Sequence, residues 1–267
     1  LGNDRAFTSI ISDTFSDGDA GGVTIVAKTM VVRDQGYISS DTFGYGNAGA
    51  VSIDAGSLKV LNGSHLSADS WRNGNAGDIS IRADSLTIDS SDSSRQTYIS
   101  SDSLEGGDDG NVTINASTLS VVHGGFISSN TYSGGDAGDL SITAGTMTVQ
   151  HNAAIASVAY PGSAGNAGFI SIAADTLTVR DNSVVSTSSA GDGDAGSVIL
   201  KAKTLTIDNS EVSSAAVVGA TGASGLLSIN AQAVSVVNGG IISTVSNNPR
   251  PAGQIDLTAE SLAVDDH

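Results

Sequence analysis

The sequence predicts an all-β chain folded as a single-stranded parallel β-helix, a β-solenoid of about nine rungs with about 28 residues to the rung. Three observations predict it. A glycine recurs at Gly21, Gly49, Gly77, Gly110, Gly138, Gly168, Gly196, Gly225 and Gly253, giving eight full units, most of them 28 residues long. A fixed period in this range marks a solenoid, propeller or array. Within each unit, apolar and polar residues alternate with period two, the pattern of strands with one buried face. No stretch has helical periodicity, which excludes helical solenoids, and the unit is too short for a propeller blade of about 40 residues.

Residues 50–77 serve as the reference unit. Val51, Ile53 and Ala55 mark a first short strand, Leu58 and Val60 a second. Asn62-Gly63 breaks the run as a pair tolerant of left-handed backbone, and Leu66 opens a third strand. Gly74-Asn75-Ala76-Gly77 then closes the unit. Each unit repeats the same inward columns: Val51, Ile79, Val112 and Leu140 in one, Ile53, Ile81, Ile114 and Ile142 in the next, and Leu58, Leu86, Leu119 and Met147 in a third. Each buried aliphatic contributes ~1.5–3 kcal/mol, but only when neighbouring coils cover it, so one unit alone should not fold.

Along the chain, residues 1–21 carry the tail of a unit, because Asp13-Thr14-Phe15 matches Asp41-Thr42-Phe43 one period later. Units 22–49 and 50–77 are regular. Unit 78–110 is longer by a polar run, 89–96, that reads as an outward loop. Small insertions follow near Tyr160-Pro161-Gly162 and in 197–225, and residues 254–267 begin another unit. The whole chain, 1–267, reads as one domain. With a start in mid-unit and no polar cap at either end, it is expected to be a piece of a longer array.

Composition narrows the function classes. The net charge is −17 with only 11 Lys and Arg, which disfavours nucleic acid and anionic membrane surfaces as partners. Without cysteine there is no disulfide, thiolate nucleophile or Cys-ligated zinc. No apolar run approaches the ~20 residues of a membrane-spanning helix, so membrane insertion is not expected.

The runs Gly-Asn-Ala-Gly-Asp-Ile-Ser-Ile-Arg-Ala-Asp-Ser-Leu-Thr-Ile at 74–88 and Gly-Asp-Ala-Gly-Asp-Leu-Ser-Ile-Thr-Ala-Gly-Thr-Met-Thr-Val at 135–149, each followed by Ile-Ser-Ser, resemble the repeat region of filamentous-haemagglutinin-like large exoproteins of bacteria. The resemblance implies a right-handed parallel β-helix, export by two-partner secretion through an outer-membrane partner, an extracellular or cell-surface location, and a role in cell adhesion. The Asn-Pro-Asn motifs of that family's secretion domain have no counterpart here beyond Asn247-Asn248-Pro249. A non-enzymatic adhesin stalk is therefore expected, with surface glycans or proteins of a host or neighbouring cell as partners. The alternative is a carbohydrate-binding module.

Four constellations carry candidate chemistry. Asp19, Asn47, Asn75, Asp108, Asp136, Asn166 and Asp194 form a corner column, read as turn residues bonding to neighbouring rungs. The competing reading is calcium held by Asp108 and Asp136, although the nine-residue calcium-binding repeat is absent. His123 and His151 share a column with Asp34, Asn62, Ser90, Asp181, Asn209 and Asn238, so a solvated turn competes with a two-histidine metal site that lacks a third ligand. No cofactor is otherwise expected.

Catalysis as a polysaccharide lyase or hydrolase would need carboxylates or a base converging in a groove; the only insertion of note, 89–96, offers Arg95, and no such convergence is expected. The last constellation is aromatic. Phe15, Phe43, Trp71, Tyr132 and Tyr160 fall in one column, with Leu104 in the same place, and Tyr37, His65, Tyr98 and Phe126 fall in a second. Phe43, Trp71, Tyr132 and Tyr160 are either a ladder that closes the coil or an exposed strip for sugar rings or an apolar partner; parity alone does not choose.

Overall fold

A computed structural model describes residues 8–91 and 95–266. The start of the first partial unit, the centre of the 89–96 loop and His267 lie outside the described residues. Among those residues there is no helix, and every strand belongs to one of two parallel nine-stranded sheets. The chain is thus a β-solenoid of about nine turns, each turn contributing one strand to each sheet.

The short-strand sheet is built from β1 (Ser9–Ile11), β3 (Tyr37–Ser39), β5 (His65–Ser67), β7 (Tyr98–Ser100), β9 (Phe126–Thr131), β11 (Ala154–Ala159), β13 (Val184–Ser189), β15 (Glu211–Ala216) and β17 (Ile241–Ser246). The long-strand sheet is built from β2 (Val23–Val32), β4 (Val51–Leu61), β6 (Ile79–Asp89), β8 (Val112–Val122), β10 (Leu140–Gln150), β12 (Ile170–Arg180), β14 (Val198–Asp208), β16 (Leu227–Val237) and β18 (Ile255–Asp265). The inward columns pair in register, for example Ile53 with Ile81, Ile81 with Ile114 and Ile114 with Ile142. These side chains are almost entirely buried, and covering each by its neighbours above and below is what makes the single coil dependent on the stack.

One expectation needs revision. The first two strands of each unit, around Val51 and Leu58 in the reference unit, are a single strand, 10 residues long in β2 and 11 in β4. The alternation slips between buried Ala55 and buried Leu58, where Gly56 and Ser57 follow one another toward the outside. The pairing of β4 with β6 passes over Gly56 and resumes at Ser57 with Ser85. The strand turns this corner without losing its hydrogen-bonded neighbours, so two faces of the coil belong to one ladder.

The period-setting glycines have a steric cause. A Cβ at Gly138 would lie 2.1 Å from the carbonyl oxygen of Gly110, and one at Gly110 would lie 2.2 Å from that of Gly77. Only a residue without a side chain allows this approach of rung to rung. From inside, the Ser129 hydroxyl ties the corner by accepting from the Gly138 N–H at 2.8 Å and donating to the Gly110 carbonyl at 3.2 Å. The opposite turn, containing Asn62 and His123, is held with φ near +50–60° at Asp34, Asn62, His123, His151, Asp181 and Asn238, as the column of turn residues predicts.

Candidate binding groove

Along the outer face of the short-strand sheet, alternation sends every second side chain outward. Successive rungs therefore present Tyr37, Ser39, Asp41 and Phe43; then His65, Ser67, Asp69 and Trp71; then Tyr98, Ser100, Asp102 and Leu104; then Phe126, Ser128, Asn130 and Tyr132. Stacked in register, these become four columns: a ring ladder, a serine column, an acidic column and a second ring ladder.

The first ladder is continuous. Tyr37 stacks on His65 with centroids 5.0 Å apart, His65 on Tyr98 at 4.8 Å, and Tyr98 on Phe126 at 5.0 Å. Burial pushes the His65 imidazole down to about 4, against the opposing pull of Asp13, so this ring is neutral near pH 7. The second ladder runs Phe15 to Phe43 at 4.8 Å and Phe43 to Trp71 at 5.5 Å, stops at Leu104, and resumes with Tyr132 on Tyr160 at 4.4 Å.

The rings stack as a ladder, and the ladder lies outside the core. Phe15 is 74% exposed, Trp71 45% and Tyr132 40%. Because each stacked ring covers its neighbour's face, the ladders turn ring edges toward solvent. The break at Leu104 is where faces of Trp71 and Tyr132 lose an aromatic neighbour.

The acidic column between the ladders has a structural origin. The main-chain N–H of Asp41 donates to Asp13 Oδ1 at 2.9 Å, that of Asp69 to Asp41 at 2.8 Å, that of Asp102 to Asp69 at 2.9 Å, and that of Asn130 to Asp102 at 2.8 Å. Side-chain oxygens thus replace the carbonyl partners of a regular ladder, and the strands of these rungs are short. β3, β5 and β7 end after three residues, whereas from β9 onward the strands run for six. Ser67 Oγ also donates to Asp41 Oδ1 at 3.0 Å, and Ser39 Oγ to Asp13 at 2.7 Å.

Rung spacing of ~4.8 Å stacks these carboxylates as like charges in a partly desolvated trough. Burial, and then repulsion from Asp13, pushes Asp41 up to about 6; burial pushes Asp102 up to about 7. Asp69 lies between them and is held well above the usual carboxylate range by burial and by both neighbours. Behind the groove, Asp109 occupies an inner corner position that is alanine at Ala48, Ala76, Ala137 and Ala167. Burial pushes it up to about 10; its Oδ1 accepts from the Ser103 N–H, and its Oδ2 is buried without a partner.

The central part of the trough has a volume of about 510 Å³ and is lined by Asp69, Trp71, Tyr98, Asp102, Tyr132 and Tyr160 among others. It has an apolar rim on each side and a polar floor, and it runs along the solenoid axis across several rungs. That combination suits an extended polymer with alternating hydroxyl and C–H surfaces.

The other predicted residues lie elsewhere. The corner column is a hydrogen-bonded ladder: Asp136 N–H donates to Asp108 Oδ1 at 3.0 Å, Asn166 N–H to Asp136 Oδ1 at 2.7 Å, and the series runs from Asp19 to Ala223. A parallel ladder through Asp78, Asn111 and Asp139, absent from the sequence reading, ends on the Phe169 N–H. His123 and His151 stack at 4.8 Å, but each turns a nitrogen to its own carboxylate: His123 Nδ1 to Asp89 at 3.0 Å, and His151 Nε2 to Asp181 at 3.3 Å. Among the described residues, no three His, Cys, Asp or Glu side chains gather as metal ligands.

The convergence of carboxylates that the sequence did not lead us to expect is therefore present, in Asp41, Asp69 and Asp102. The signal was the recurring string Ile-Ser-Ser-Asp at 38–41 and 99–102, with Leu-Ser-Ala-Asp at 66–69. Gln96, at the end of the 89–96 insertion, reaches the trough rim, while residues 92–94 lie outside the described residues. No family model, curated protein or solved structure matches the chain.

Proposed function

We propose that this chain is a non-enzymatic adhesive segment of a secreted or surface-exposed bacterial exoprotein of the filamentous-haemagglutinin-like kind, exported through an outer-membrane secretion partner. Its stacked coils act as the stalk, and the trough between the ring ladders takes a glycan chain lying along the axis. The observation that carries the reading is the pair of outward ring ladders flanking a polar floor over consecutive rungs. Aromatic edges and the break at Leu104 offer apolar contact for sugar C–H groups, and the floor offers hydrogen-bond acceptors for hydroxyls.

A binding role also accords with the state of the carboxylates, whose Oδ1 atoms are engaged by main-chain N–H groups. A glycan array probed with the whole chain tests the reading, with Trp71→Ala and Tyr132→Ala as controls. Binding to a defined set of glycans, weakened by both variants while their melting temperatures hold, supports it. Binding to none, or binding untouched by both variants, overturns it.

A further inference from the structure

We infer that the trough selects a glycan bearing free amines, an amino-sugar chain whose ammonium groups sit over the Asp69 and Asp102 carboxylates. This rests on the glycan-binding reading above and specifies the class of sugar.

The floor carries Asp13, Asp41, Asp69 and Asp102 on successive rungs, and no lysine or arginine is among the described residues lining its central part. Arg72 and Arg95 stand outside it. Arg72 lies toward Glu105 at 3.9 Å and over the Tyr45 ring, and Arg95 lines the adjoining hollow with Tyr37 and His65. Stacked carboxylates without a counter-cation hold protons to higher pH to avoid mutual repulsion, and a ligand that brings positive charge favours their ionised form.

Unused hydrogen-bonding capacity points to the same place. Oδ1 of Asp69 and of Asp102 accept the ladder bonds, while among the described residues Oδ2 of each accepts none. One rung further, the Ser128 hydroxyl lines the trough, is 3% exposed and has no hydrogen-bond partner. Its counterparts Ser39, Ser67 and Ser100 each donate to a floor carboxylate.

An ammonium group has three donors and no acceptor, so it suits two neighbouring carboxylate oxygens and a hydroxyl. The rung spacing of ~4.8 Å brings Asp69 and Asp102 close enough for one ammonium group to lie between them. A neutral glycan brings nothing to take the place of the floor's protons, and a sulfated or uronic chain sets more negative charge beside the carboxyl groups.

The test compares glucosamine oligomers, N-acetylglucosamine oligomers and oligogalacturonate of equal length, titrated calorimetrically into the whole chain at low salt near neutral pH. Asp69→Asn and Asp102→Asn serve as variants. Asparagine keeps the ladder, since Asn130 in the same column accepts the Val158 N–H at 3.1 Å. The expected result is that the glucosamine oligomer binds about tenfold or more tightly than its acetylated form. Each variant should remove most of that preference while circular dichroism is unchanged, and added salt should weaken wild-type binding.

Equal affinity for acetylated and free-amine chains, insensitive to the variants, overturns the amino-sugar inference and leaves glycan binding standing. Absence of binding to these chains, together with a blank glycan array, overturns both. Binding of Ca²⁺ alone, abolished by Asp69→Asn, with no binding of the glucosamine chain, replaces the inference with a metal site.

Discussion

The main-chain N–H of Asp102 donates to Oδ1 of Asp69 at 2.9 Å, so a carboxylate that helps to hold two rungs together also forms part of a stacked column of charge. The same atoms serve fold and site, and this coupling makes the stability of the solenoid depend on pH. Free carboxylates ionise near pH 4 in the unfolded chain. In the folded chain Asp41 holds its proton to about 6 and Asp102 to about 7.

An acid whose folded pKa is raised contributes stability that is present below the unfolded pKa and is lost as pH rises through the folded one. The melting temperature should therefore fall from about pH 4 to about pH 8, beyond what general charge repulsion produces. The triple variant Asp41→Asn, Asp69→Asn, Asp102→Asn should show a visibly flatter profile in thermal melts. Parallel profiles would show that the column carries no linkage.

Asp109 gives the second prediction. Its position is alanine in most rungs, its Oδ2 is buried and unpaired, and its folded pKa of about 10 means that the unfolded state is favoured progressively from about pH 4 upward. Asp109→Ala should stabilise the chain by about 1–3 kcal/mol, the cost of an unsatisfied buried polar group. The Ser103 N–H it frees has a precedent: the equivalent N–H groups of Thr42 and Ser70 donate to the carbonyls of Asp69 and Asp102 at 2.9 Å. Denaturant titrations at neutral pH measure the gain, and a loss of stability would assign Asp109 a bonding role in the corner.

Rung contact at the corner is tested by two glycines in one loop. A Cβ at Gly138 meets the Gly110 carbonyl at 2.1 Å, whereas one at Gly134 has nothing within 4 Å. Gly138→Ala should destabilise by about 1–3 kcal/mol or more through overpacking, while Gly134→Ala should be nearly neutral. Equal melting temperatures for the two would contradict the steric account of the period.

Ile114 is fully buried between Ile81 and Ile142, while Ser91 is exposed in the insertion. Ile114→Asp places an unpaired charge in a column on which neighbouring rungs depend, and should unfold several rungs together. Ser91→Ala should change stability by less than about 0.5 kcal/mol. Hydrogen exchange resolved by segment distinguishes loss of several rungs from local fraying around β8.

The coil was legible because its cause is local and periodic. Val51, Ile53, Leu58 and Leu66 alternate in a way that only an inward face requires, and Gly77 recurs because the backbone of the preceding rung leaves no room for a Cβ. The trough was harder to read. Asp41 looks like an ordinary strand-end residue within one unit, and it becomes one of four stacked carboxylates only once the rungs are in register.

Column identity also drifts, from Asp102 to Asn130 to Val158, which masks the series when units are read singly. In the structure strict alternation continues through Ser67 and Asp69 and sends Trp71 outward. Bonding of the Asp69 N–H to a side chain interrupts the regular strand pattern there without reversing that alternation.

The most direct measurement of the central claim is the emission of Trp71, the single tryptophan, during titration with an array-selected glycan. Trp71 is 45% exposed on the trough rim, so its emission in the free chain should be red-shifted, and it should move to the blue and saturate as the glycan binds. A glycan that binds the chain while the emission of Trp71 stays unchanged would contradict the placement of the site between the ring ladders.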